Sequence, residues 1–227
     1  MPYALILFVL AILALLVYFS TLPEIETDRD EAAVEGSVSK ASSITHYPHL
    51  MLGVLAIFLY VGVEVIAGDT VISYGSSLGI PLSTAKFFTT CTLLCMITGY
   101  IIGIICIPKY LTQATALKGS AIIGVVFSVA AIYSPGYTSV LFIALLGLAN
   151  SLMWPAIWPL AINGLGKFTK IGSSLLIMGI AGGALLPLLY GRLSDVYSPR
   201  YAYWILIPCY LFIAYYATWG HRLKRQE

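Results

Sequence analysis

Hydrophobic positions along the chain are gathered into seven long runs, and the charged residues, Glu64 and Asp69 apart, lie outside them. The runs are Tyr3–Leu22, Leu50–Tyr74, Phe87–Ile107, Gly119–Tyr133, Tyr137–Ile162, Ile171–Tyr190 and Tyr201–Trp219, of which the fourth is the shortest. A helix of roughly 20 apolar residues crosses a hydrocarbon core of about 30 Å. Lipid offers no partner to an unpaired backbone amide, so such runs must be helices. The pattern therefore predicts an all-α membrane protein of about seven transmembrane helices. The first run is preceded by no Lys or Arg and is closed by no small-residue cleavage site, so it reads as a retained helix and not a signal peptide.

The spacing of the runs sets the organisation. Residues 1–22 form one helix, 23–48 a polar linker, and 49–227 a compact group of six helices joined by short connections. The linker holds Glu24, Glu26, Asp28, Asp30, Glu31 and Glu35, six of the ten acidic residues, and cannot bury a core. The six grouped helices divide into two triplets, the arrangement of inverted three-helix repeats found in transporters. Each triplet opens with a helix carrying Gly shortly before a polar group, in Tyr60-Val-Gly-Val-Glu64 and Leu146-Gly-Leu-Ala-Asn150.

Composition narrows the class further. Hydrophobic residues make up 59% of the 227 and charged residues 10%, against roughly 25% charged in a soluble domain, so bilayer must solvate most of the surface. The net charge of +2 is spread in short pairs with no basic stripe, which argues against a nucleic-acid partner. Cys91, Cys95, Cys106 and Cys209 lie inside apolar runs without a CxxC pair, and read as small buried residues. With the linker cytoplasmic, Arg29, Lys40, Lys109, Lys118, Lys167, Lys170, Arg222, Lys224 and Arg225 face inward and only Lys86, Arg192 and Arg200 outward. That bias predicts an external N-terminus and a cytoplasmic C-terminus.

Two constellations are candidates for chemistry. Ionisable groups inside a span are costly and are functional candidates by default. Two acids qualify, Glu64 and Asp69; at ~1.5 Å per residue from Leu50, Glu64 lies about 21 Å along its helix and Asp69 about 28 Å, near the outer interface. Glu64 could bind a sugar hydroxyl, carry a proton, or bond to another helix, whereas Asp69 leans toward an interfacial role. Gly62 and Gly68 bracket Glu64 and mark where the helix could loosen. The second constellation is Asn150-Ser-Leu-Met-Trp154-Pro-Ala-Ile-Trp158-Pro159, where four-residue spacing puts Asn150, Trp154 and Trp158 on one face. An amide addresses hydroxyls and an indole covers the apolar face of a sugar, which favours a cavity role for Asn150 and Trp154. Trp158 reads as an interfacial residue.

Other candidates carry less. The run Gly164–Ser174 lacks the GxxxxGK[ST] spacing of a phosphate loop and joins two spans, so it is a tight turn. His46-Tyr-Pro-His49 has no third ligand beside it, no Lys lies mid-span to hold a retinal, and no nucleophile–base pair lies within the spans. Metal, cofactor and enzyme readings are all unsupported.

The stretches Phe58-Leu-Tyr-Val-Gly-Val-Glu64, Trp154-Pro-Ala-Ile-Trp158, Gly164–Ser174 and Gly182-Gly183 through Gly191-Arg-Leu-Ser-Asp195 together resemble the fucose permease and glucose/galactose transporter branch of the major facilitator superfamily. The resemblance implies a twelve-helix fold of two halves that drives sugar uptake with protons. The first run then corresponds to the sixth helix, the linker to the cytoplasmic inter-half loop, and the other six to helices seven to twelve. It places Glu64 and Trp154 at the sugar cavity with Asn150 on the same face, and puts Gly68 and Asp69 near a position where some members carry Trp. Five preceding helices, which in the family hold the proton-linked carboxylates, have no counterpart here. The implied role is proton-coupled transport of a hexose or fucose-like sugar across a bacterial inner membrane, in company with that N-terminal half. The alternative is a non-transporting membrane subunit or relic that only packs against a partner.

Overall fold

A computed structural model of the chain describes residues 2–19 and 47–223. It separates into two units, Met1–Ala41 and Ser42–Glu227. In the first, α1 runs Pro2–Tyr18, 17 residues without a charged side chain. The last residues of the first predicted run, and all but the end of the linker, lie outside the described residues.

The second unit is built of six spans, each long and apolar enough to cross a membrane. They are α2 (Pro48–Asp69) with a short α3 (Val71–Ser77) after it, α4 (Leu82–Cys106), α5 (Gln113–Tyr133), α6 (Gly136–Ser151) continued by α7 (Met153–Ile162), α8 (Thr169–Met178) continued by α9 (Gly182–Val196), and α10 (Pro199–Ala202) continued by α11 (Leu206–Thr218). The described residues contain no strand. The fourth run gains six residues over its predicted start, because the Thr112 hydroxyl caps α5 by accepting from the Thr115 N–H at 3.2 Å. That cap lets Gln113, Thr115 and Lys118 join a helix whose apolar stretch alone looked too short.

Four spans are interrupted, that of α10 and α11 by a 3₁₀ turn at Tyr203–Ile205, and the other three breaks have a local cause. α2 stops at Asp69, and Thr70 turns its hydroxyl back to the Ile66 carbonyl at 2.6 Å. This is the loosening that Gly68 foreshadowed, placed just beyond it. Between α6 and α7, Pro155 offers no N–H to the Ser151 carbonyl, and Pro159 none to Pro155. Between α8 and α9 lies a 3₁₀ turn, Gly179–Ala181, in a stretch where Gly179, Gly182 and Gly183 weaken helix preference.

Packing follows the predicted triplets. α9 lies against α2, and α4 lies against α6, so the second helix of each triplet packs on the leading helix of the other. α2 with α11 and α6 with α5 form the second matching pair. Helices in lipid gain no hydrophobic drive to associate and depend on close van der Waals contact through small residues. Gly182 serves this purpose, since a Cβ there would overlap the Phe58 carbonyl; one at Gly179 would sit 3.0 Å from the Val54 carbonyl. On the other side, a Cβ at Gly147 would overlap the Thr92 carbonyl. α4 presents most of its length outward, and Cys91, Cys95 and Cys106 on it are only half-buried. Of the four cysteines expected to be buried, only Cys209 is.

Gly182→Ala is expected to destabilise the bundle by roughly 1–3 kcal/mol, the usual cost of overpacking. Gly191→Ala meets nothing within 4 Å and is expected to be neutral or slightly stabilising. Thermal unfolding of both variants in detergent, followed by circular dichroism, checks the pair.

Candidate functional site

Glu64 is half-buried in the C-terminal half of α2. One turn earlier on the same helix, Tyr60 is buried, with its hydroxyl within hydrogen-bonding reach of the Glu64 carboxylate. Two further tyrosines from other spans, Tyr100 of α4 and Tyr210 of α11, lie within electrostatic range of the same carboxylate. The acid therefore has one phenol beside it on its own helix and two more, from other spans, within electrostatic range.

Asn150 lies in the last turn of α6 and is 1% exposed. Its Oδ1 accepts a hydrogen bond from the buried Tyr210 hydroxyl at 2.8 Å. Trp154, one turn on in α7, is half-buried and packs against the core. Its ring stands 6.3 Å from that of Tyr60, and Trp158 stacks on it at 5.6 Å with 25° between planes. Because Leu152 keeps near-helical angles across the break, Asn150 and Trp154 stay on adjacent turns.

Three of the four predicted site residues are thus assembled. Glu64, Asn150 and Trp154 belong to one group, linked through Tyr60 on one side and Tyr210 on the other. Asp69 does not join it: as the last residue of α2 it is exposed, about 7.5 Å of helix rise beyond Glu64. Trp158, read from the sequence as interfacial, stacks on Trp154. Sequence reasoning did not single out Tyr60, Tyr100 and Tyr210. Tyr60 carried a signal, its i−4 spacing from Glu64, whereas Tyr100 and Tyr210 are two tyrosines among sixteen with nothing local to mark them.

Chemically, the group supplies a carboxylate and phenols as acceptors, an amide and phenols as donors, and a flat indole surface. Neutral polyhydroxylated molecules use all three. Among the described residues no cluster of three metal-binding side chains occurs. His49 instead meets the Asn163 carbonyl through Nε2 at 3.0 Å, joining the start of α2 to the turn after α7; His46 lies outside the described residues.

A second polar group closes the opposite end of the bundle. Thr70 shares a hydrogen bond of 2.8 Å with the Tyr203 hydroxyl, and the Ser139 hydroxyl donates to the Ala131 carbonyl at 2.5 Å while meeting Tyr74. The Tyr203 ring packs between those of Tyr74 and Tyr190, at 4.9 and 5.0 Å. These contacts tie α3 to α6 and to the 3₁₀ turn after α10, and fix the end of the span that carries Glu64.

The chain is 31% identical to a glucose/galactose transporter of Brucella abortus, over 97% of this chain and 53% of the relative. It is 29% identical to the L-fucose-proton symporter of Escherichia coli, over 86% of this chain and 45% of the relative. A crystal structure of the Escherichia coli fucose:proton symporter matches it with a TM-score of 0.83 at 27% identity, covering 96% of this chain and 54% of that one. The chain spans about half the length of the curated relatives it matches. No family model matches it.

The stacked indoles give the site a spectroscopic handle. Trp154→Phe and Trp158→Phe are each expected to abolish the same coupled tryptophan band in near-ultraviolet circular dichroism, whereas Trp204→Phe preserves it. Independent, additive losses from the two variants would show that the rings do not stack.

Proposed function

Because the chain matches the C-terminal half of the fucose permease and glucose/galactose transporter branch of the major facilitator superfamily, we propose that it forms one wall of a sugar cavity in a proton-coupled secondary transporter. The observation that carries this reading is the convergence of Glu64, Asn150 and the Trp154–Trp158 stack, with Tyr210 from α11, in the interior of the bundle. In this reading Trp154 covers the apolar face of a hexose or fucose-like sugar, Asn150 donates to one of its oxygens, and Glu64 accepts from a hydroxyl. The other wall is an N-terminal half of the same family, and Glu64 is the group of this half placed to exchange a proton. The host membrane is a bacterial inner membrane.

Charge supports one orientation. Lys109, Lys167, Lys170 and Arg222 gather at the end where α2 begins, and Lys86, Arg192 and Arg200 at the opposite end. The positive-inside rule puts the first end in the cytoplasm. An impermeant amine-reactive reagent added to intact cells is expected to label Lys86 and spare Lys167, both of which are exposed in the bundle; the reverse pattern would invert the topology.

Binding is tested with the chain in lipid nanodiscs, alone and co-expressed with the N-terminal half of the Brucella abortus relative. D-glucose, D-galactose and L-fucose are titrated against tryptophan fluorescence. Quenching by at least one of them is expected. Glu64→Gln and Trp154→Ala should each weaken that sugar about tenfold or more, since a hydrogen bond to a charged group is worth ~1.5–3 kcal/mol. Unaltered affinity in both variants would remove the site assignment, and no binding in any preparation would favour a subunit that only packs.

A further inference from the structure

Asn150 is almost completely enclosed, yet the hydrogen bonding around it is one-sided. Its Oδ1 is engaged by Tyr210, and among the described residues its side chain has no other hydrogen-bond partner. The Nδ2 group is nevertheless not one of the buried side-chain atoms lacking a partner among the described residues. The small exposed part of Asn150, 1% of the residue, therefore includes Nδ2.

The oxygen and nitrogen of an Asn amide are nearly isosteric, so the surrounding hydrogen bonds decide which way the group points. Here Tyr210 decides it. Tyr210 is buried, and Asn150 Oδ1 is the only acceptor its hydroxyl has among the described residues. Turning the amide over would leave the phenol proton without an acceptor in a dry site, a cost of roughly 1–3 kcal/mol.

We propose that Tyr210 is a positioning residue that locks the Asn150 amide so that Nδ2, and not Oδ1, is the atom presented to the cavity. The inference rests on the sugar reading above and adds what that site discriminates. Asn150 becomes a dedicated donor, facing a cavity in which Glu64 is the dedicated acceptor. Such a site selects a neutral monosaccharide that presents one acceptor oxygen to the amide and one hydroxyl proton to the carboxylate, and it rejects analogues lacking the first. A site built around a fixed donor penalises the missing oxygen more than a site whose amide can turn over to suit either partner.

The chain contains two asparagines, Asn150 and Asn163, so labelling asparagine side chains with ¹⁵N gives two NH₂ signals. The preparation is the sugar-binding nanodisc sample described above. Without sugar, Tyr210→Phe is expected to shift or broaden the Asn150 pair and leave the Asn163 pair in place. Saturating D-galactose should shift the Asn150 pair in the parent protein. Across the monodeoxy series of D-galactose, the parent should bind one member about tenfold or more weakly than galactose itself. In Tyr210→Phe that ratio should fall below about threefold, because a released amide turns to suit either ligand.

Parental discrimination retained in Tyr210→Phe would overturn the proposal. So would an Asn150 pair unmoved by galactose in a protein whose fluorescence reports binding, and there the sugar reading would survive. Absence of any hexose binding, with the Tyr210→Phe change still visible in the sugar-free spectrum, would remove the sugar reading itself and leave the pair as a strut between α6 and α11.

Discussion

The backbones of α2 and α9 lie directly on one another because Gly182 presents no Cβ to the Phe58 carbonyl. In lipid this kind of approach takes the place of the hydrophobic effect as the force that joins helices. The same arrangement is repeated where α4 meets α6, with Gly147 on the Thr92 carbonyl and Gly99 under Ser151. Each leading helix of a triplet is thereby clamped along one side. On α2, Gly62 faces Leu186 of α9, and Glu64 lies two residues on, about 200° around the helix. The clamp that seats one face of α2 leaves its acid on another face, within electrostatic range of Tyr210.

Polar groups placed in that interior must be satisfied by one another. An unpaired buried hydroxyl or amide costs more than its hydrogen bond returns when made. The bond from Tyr210 to Asn150 and the reach of Tyr60 to Glu64 meet this demand with residues from α2, α6 and α11. Helix interruptions sit close by. Pro155 frees the Ser151 carbonyl one residue after Asn150, and Thr70 closes α2 six residues after Glu64. Broken helices in membrane proteins are tolerated where their loose ends find protein partners, and here Ser151 and Thr70 both turn their hydroxyls onto nearby carbonyls.

The bundle is pseudo-symmetric in its helix pairs but not in its chemistry. The leading helix of the first triplet contributes a carboxylate and that of the second an amide followed by two indoles. The proposed sugar site draws on this difference, with an acceptor from one leading helix and a donor and indoles from the other.

Much of the architecture was legible in the residues alone. Seven apolar runs and a charge-poor composition were enough for the all-helical class and for the six spans of the second unit, because lipid admits one kind of spanning backbone here and hydropathy reads it directly. Glu64, Asn150 and Trp154 were legible for the same reason, as polar or bulky side chains whose presence in a span demands an explanation. Their assembly was not legible. Tyr210 is separated from Asn150 by 60 residues and shares no local pattern with it, and Tyr100 stands in an aliphatic run. The polar start of α5 depended on a cap at Thr112, and the stacking of Trp158 on Trp154 on how α7 continues past Leu152. Local sequence determined which segments are helices and which residues are costly to bury, since both follow from transfer to lipid. Tertiary packing alone decided which of those costs are met together, because satisfying a buried polar group takes a partner from another helix.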